Sequence, residues 1–113
     1  MRKQIIENAA FEVATQIRTV EDCIEGALIE IADLQSKMLR ARSAAGVATS
    51  TGHAALEQLA TAVQALVTAR GGMANCHGAL VDAKQFVPGL RTVSFGDHEC
   101  PPKVAHADLR IVA

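Results

Sequence analysis

From Ile6 onward apolar residues recur in alternating steps of four and three, through Ala10, Val13, Ile17, Val20, Ile24, Ala27, Ile31, Leu34, Met38, Ala41 and Ala45. Glu, Gln, Arg, Asp and Lys occupy many of the positions between them, and no proline interrupts the run. A 3.5-residue repeat of this length belongs to a helix that turns one apolar side toward another helix. It predicts α-helix over residues 3–45, on the order of 60 Å long at about 1.5 Å per residue.

Gly46 can take the left-handed conformation that ends a helix, and Ala48-Thr49-Ser50-Thr51-Gly52 supplies hydroxyls suited to cap the next one. A second helix is predicted over residues 50–86, with Leu56, Leu59, Val63, Leu66, Met73 and Leu80 as its seam. Ala60, Val67, Ala74 and Val81 widen that face, and Pro88-Gly89 stops the helix. So short a link makes the two helices antiparallel. With the reversal near residue 48, facing residues have numbers that sum to roughly 97. That rule sets Glu30 opposite Arg70, Glu21 or Gln16 opposite His77, Glu12 opposite Lys84, and Cys23 opposite Cys76. It also sets Gly26 opposite Gly71-Gly72, where glycine either permits close backbone approach or marks a kink.

The remaining segment from Leu90 breaks the helical period and carries Gly96, Pro101 and Pro102. An irregular tail is expected, with Leu90 to Phe95 and Leu109 to Val112 short enough for strands or for extended cover on the helices. The predicted organisation is an all-α hairpin domain at residues 1–89 followed by a tail at 90–113.

Composition narrows the picture further. At 113 residues there is room for one folding unit. Half the residues are apolar, yet aromatics are 3% and Trp and Tyr are absent, so alanine and branched aliphatics must form the contacts between closely packed helices. The formal charge of −1, with both signs interspersed, lacks the basic footprint required by nucleic acid or an anionic membrane. Base-stacking platforms are missing as well. Apolar runs fall far short of the roughly 20 residues that span a bilayer, and Met1-Arg2-Lys3-Gln4 leads straight into an amphipathic segment. A cytoplasmic location is the resulting expectation. Three cysteines, an odd number, argue for reduced thiols over a disulfide framework.

A single seam rich in alanine does not offset the backbone entropy of the residues it orders, so more apolar surface has to be buried. Phe11, Ala14, Leu28, Ala32 and Leu39 flank the first seam and offer that surface. The arrangement expected is a homodimer of hairpins forming a four-helix bundle, since a self-complementary patch closes under two-fold symmetry.

Candidate chemistry centres on helix two, where residues spaced by seven read Leu56, Val63, Arg70, His77 and Lys84. A seam that turns basic either opens to solvent or buries cations that require partners. Arg70, His77 and Lys84 are read as a polar layer that fixes register, with Lys84 reaching outward, or as a stripe for an acidic partner helix or small anion. Cys23 and Cys76 complete the candidate set. Cys76-His77 and Asp97-His98-Glu99-Cys100 hold metal-ligating residue types, but adjacent helical residues point about 100° apart and no CxxC or HxxxH pair is present. Neither metal nor cofactor is expected, and no catalytic residue is assigned.

In build the chain resembles histidine phosphotransfer domains, which follow their histidine with a lysine and a small residue one turn on. His53 is followed here by Ala54-Ala55-Leu56-Glu57 and His77 by Gly78-Ala79-Leu80-Val81, a departure that leaves both histidines without the motif. Helical hairpins with a Trp-x-Gly turn share the length, but the link from Gly46 to Gly52 has no tryptophan. Flagellar and secretion export chaperones are similar in general build. The reading these residues support is a non-enzymatic, homodimeric interaction protein that also engages another protein. The alternative is a small-ligand or metal module around Cys23, Cys76, His77 and Arg70.

Overall fold

A computed structural model of the chain describes residues 2–90. The expected tail elements from residue 91 onward, including Asp97-His98-Glu99-Cys100, lie outside the described residues. Two helices form, α1 over Arg2–Ala45 and α2 over His53–Ala83, with a single 3-10 turn at Lys84–Phe86. Among the described residues there is no strand.

The boundaries of α1 agree with its apolar repeat, whereas α2 starts and ends three residues inside the expected limits. At the start, Gly46 and Gly52 both take positive φ, 67° and 79°. Between them the Thr51 amide donates to the Ala48 carbonyl and the His53 amide to that of Ser50. The first carbonyl to serve α2 is that of Gly52, which accepts from Ala55 and Leu56, so helical geometry begins only beyond this glycine. At the far end Val87 is extended, at φ −105° and ψ 119°, as the residue before a proline is required to be. Pro88 therefore acts upstream, and the Val87 amide closes a tighter bond to the Lys84 carbonyl at 3.2 Å. Gly89 at φ 87° then turns the chain so that Leu90 is buried.

The described chain divides into two compact units. In one, Val20–Gly71, the later part of α1 returns through the link into the earlier part of α2 as an antiparallel hairpin. Ile24, Leu28, Ile31 and Met38 of α1 and Leu56, Leu59, Val63 and Leu66 of α2 are half-buried. Leu34 and Ala41, assigned to the seam by the repeat, are exposed, while Leu28 and Arg42, one position on from expected seam residues, are partly covered. The cause is geometric: a 3.6-residue helix slips about 20° per heptad against a strict 3.5 count, so positions counted from Ile6 walk off the covered face.

The other unit holds residues 2–19 of α1 and 72–90 of the returning chain. It contains Ile17, His77 and Leu90, the three buried residues among those described, and no described side chain is fully buried. Ala10, Ala14, Ala74, Val81 and Val87 are half-buried here, and Leu80, expected in the seam, is 42% exposed.

The glycine expectation is corrected. A Cβ placed on Gly26, Gly71 or Gly72 meets nothing within 4 Å, so no backbone packs close enough to require glycine there. Helix α2 also runs without a break through Gly71-Gly72. Gly71→Ala and Gly72→Ala are each expected to raise stability by about 0.5–1 kcal/mol in a urea or thermal melt. Gly46→Ala or Gly52→Ala should lower it by about 1 kcal/mol, because both glycines take positive φ. A loss on Gly71→Ala would restore the close-approach reading.

Candidate functional site

Arg70 and His77 on α2 and Lys84 in the 3-10 turn each have their own environment. Arg70 has a side chain 62% accessible and pairs through Nε with Oε1 of Glu25. The expected partner was Glu30; the rule that facing numbers sum to roughly 97 points to residue 27, and Glu25 lies nearer to it than Glu30 does. At Arg70 the seam is open to water, and its polarity costs little there.

His77 is the opposite case, 7% exposed, with Nδ1 shielded from solvent. Its ring lines a groove of about 210 Å³ in its own unit, whose walls include Ala10, Val13, Ala14 and Ile17 from α1 and Leu80, Val81, Lys84, Val87 and Leu90 from the returning chain. Lys84 is half-buried at the first residue of the 3-10 turn. The groove exists because Ala10, Ala14 and Ala83 put methyl groups where larger side chains would meet, while Ile17 and Leu90 keep their bulk. Among the described residues, the rest of the lining is apolar.

Cys76 is exposed although it adjoins His77, as expected for neighbours pointing about 100° apart on a helix. Cys23 is exposed and free as well. Neither thiol is buried. Cys23 and Arg70 fall in one compact unit, Cys76 and His77 in the other. Among the described residues no group of three His, Cys, Asp or Glu side chains could hold a metal ion.

His53, the first residue of α2, is exposed and has Nε2 3.1 Å from Oε1 of Glu57 one turn on. His77 is too buried to accept a phosphoryl group, whereas His53 is exposed. A second groove, of about 420 Å³, lies beside the link in the hairpin unit. Leu39, Val47 and Leu56 line it, and the Arg42 guanidinium donates to the Val47 carbonyl at 3.1 Å.

The sequence pattern named His77 and Lys84 but missed Val87 and Leu90 as their neighbours. The available signal was a large aliphatic directly after Pro88-Gly89, since a glycine in the left-handed region commonly folds the next apolar residue back on its helix. No helix among the described residues is long and apolar enough to cross a membrane.

The contrast between Arg70 and His77 sets a measurable difference. A double-mutant cycle on Glu25 and Arg70 should give a coupling below about 1 kcal/mol that shrinks with added salt, as exposed pairs do. His77→Ala, which empties a buried position, should cost roughly 1–3 kcal/mol in a denaturant melt. Compared with known protein families, curated proteins and solved structures, this chain matches none.

Proposed function

We propose that the chain is a non-enzymatic interaction protein that pairs with a second copy of itself, two helical hairpins forming a four-helix bundle whose outer faces engage another protein. One observation carries this reading: no described side chain is fully buried, while Phe11, Val13, Leu34, Leu39 and Val67 remain 43–60% exposed. A chain that is half apolar yet covers so little of that content has surplus surface that water disfavours. Phe11, Leu34 and Leu39 stand exposed on α1 beside its partly covered positions. An apolar surface of this kind closes on itself under a two-fold axis, so that one copy of the chain supplies the cover needed by the other. Interfaces of stable pairs bury about 800 Å² per partner.

Light scattering on the eluting protein should report twice the 11.9 kDa chain mass. The melting temperature should rise with protein concentration, because association stabilises only the folded form. Phe11→Glu combined with Leu39→Glu places charges where the fold itself makes little contact, so helical circular dichroism should persist while the mass falls to that of one chain. A wild-type monomer at micromolar concentration with an unchanging melt would refute the pairing. As a second test, Ile24→Asp or Ile31→Asp sets a carboxylate in the half-covered stripe and should abolish both pairing and folding.

A further inference from the structure

Val13, Ala14 and Ile17 of α1 face Leu80, Val87 and Leu90 of the returning chain across the groove beside His77. Val13 and Leu80 are 49% and 42% exposed, so the trough is open to water. His77 and Lys84 on the same wall are already engaged within the fold, and what the groove offers an occupant is its apolar surface. The large apolar side chain that stands furthest out among the described residues is Phe86, 87% exposed and in the same compact unit. Its position in the 3-10 turn explains why it does not fill the groove next to it. Residues three apart eclipse one another in such a turn, so Lys84 and Val87 share the groove side, and Phe86, one position before Val87, is turned about 120° from it.

We infer that the Phe86 ring of a second copy of the chain fills this groove, each copy serving the other in the same way. The inference rests on the proposed self-association and adds where it occurs: the copies meet through the unit of residues 2–19 and 72–90 on both chains. Size supports it. An apolar protein cavity of roughly 150 Å³ admits benzene, and about 210 Å³ takes a phenyl ring together with its methylene. Closure supports it as well. A protruding side chain and a pocket far apart on one surface build open chains of molecules, but Phe86 adjoins Val87 of the groove wall, and neighbours of this kind satisfy each other in a closed two-fold pair. Burying one exposed ring and covering one groove removes roughly 300 Å² per partner from water, a minority of the about 800 Å² that a stable pair buries. The insertion therefore orients a pair whose remaining area comes from other exposed apolar residues of the same unit, Ile5 and Phe11 among them.

The test mixes isotope-labelled and unlabelled full-length protein and records isotope-filtered NOE spectra, which retain only contacts between copies. Cross-peaks are expected from the Phe86 ring protons of one chain to the methyl groups of Val13, Ile17 and Leu80 in the other. Phe86→Ala should remove them and raise the dimer dissociation constant about 100-fold in sedimentation equilibrium, because two rings per dimer lose their sites. Helical circular dichroism should persist, since a ring so exposed contributes little to the fold of its own chain. Ala14→Leu, which fills the trough from within, should weaken the dimer in the same direction, and adding it to Phe86→Ala should cost little more. If Ala14→Leu fails to fold, the cross-peaks of the wild-type protein decide. A dimer whose groove methyls contact only their own chain, the segment after Leu90 included, would overturn the insertion and leave the pairing standing. So would a dimer whose dissociation constant is unmoved by Phe86→Ala. A wild-type monomer would remove the pairing and the insertion together.

Discussion

Everything in this molecule depends on how little one helix can cover of another when much of the contact is alanine. Two facing helices bury a stripe along each, and the depth of that stripe is set by side-chain volume at the seam. Here the stripe is shallow. Half-buried aliphatics such as Ile24, Ile31, Leu59 and Leu66 occupy it, and burial below a tenth of full exposure is reached among the described residues only at Ile17, His77 and Leu90. A fold held this way has regular backbone hydrogen bonds along both helices and a thin apolar contact between them. On the proposed reading, whatever covers the remaining stripe also contributes to its stability.

The same shallowness accounts for the different fates of the basic residues on α2. A polar group in a deep core is either paired or costly, whereas at a shallow seam it can reach water. Arg70 does so, with Glu25 alongside, and the helix loses nothing by carrying it. His77 cannot, because Leu90 is folded back by Pro88-Gly89 and Ile17 fills in the same wall. A residue repeat that looks uniform along the sequence is thus split by one local event, the turn after α2. Polar residues with identical heptad phase are separated into one that faces solvent and one enclosed within the groove.

Much of the fold was legible because it depends on local chemistry. The repeat from Ile6 to Ala45 has one physical interpretation, and Gly46 and Gly52 bracket the only plausible place for a reversal; both take the left-handed conformation that the expectation required of Gly46. What could not be read was register and rotation, which are small geometric quantities accumulated over long distances. A few residues of register exchange Glu30 for Glu25 as the partner of Arg70. A drift of about 20° per heptad carries Leu34 and Ala41 off the covered face. Neither error leaves a mark in composition or spacing. The Gly26 and Gly71-Gly72 coincidence misled for the same reason, since it assumed a register to give the glycines a purpose. For the candidate site, the heptad spacing identified His77 and Lys84, but the groove around them arises from Val87 and Leu90, beyond the end of the periodic pattern.

A trough at the end of a two-helix pair is a consequence of the sequence rather than an accident of packing. Where the chain must cover an apolar surface it uses Ile17 and Leu90; where it places alanine, at Ala10, Ala14 and Ala83, it leaves a volume that the neighbouring side chains do not enter. Replacing those alanines by leucine would cost little in helix propensity and would deepen the seam, yet the stripe would then close over His77 and Lys84. Small residues therefore leave an apolar volume beside His77 and Lys84 that larger side chains would have filled. The groove beside the link is built differently, since there the Arg42 guanidinium donates to the Val47 carbonyl.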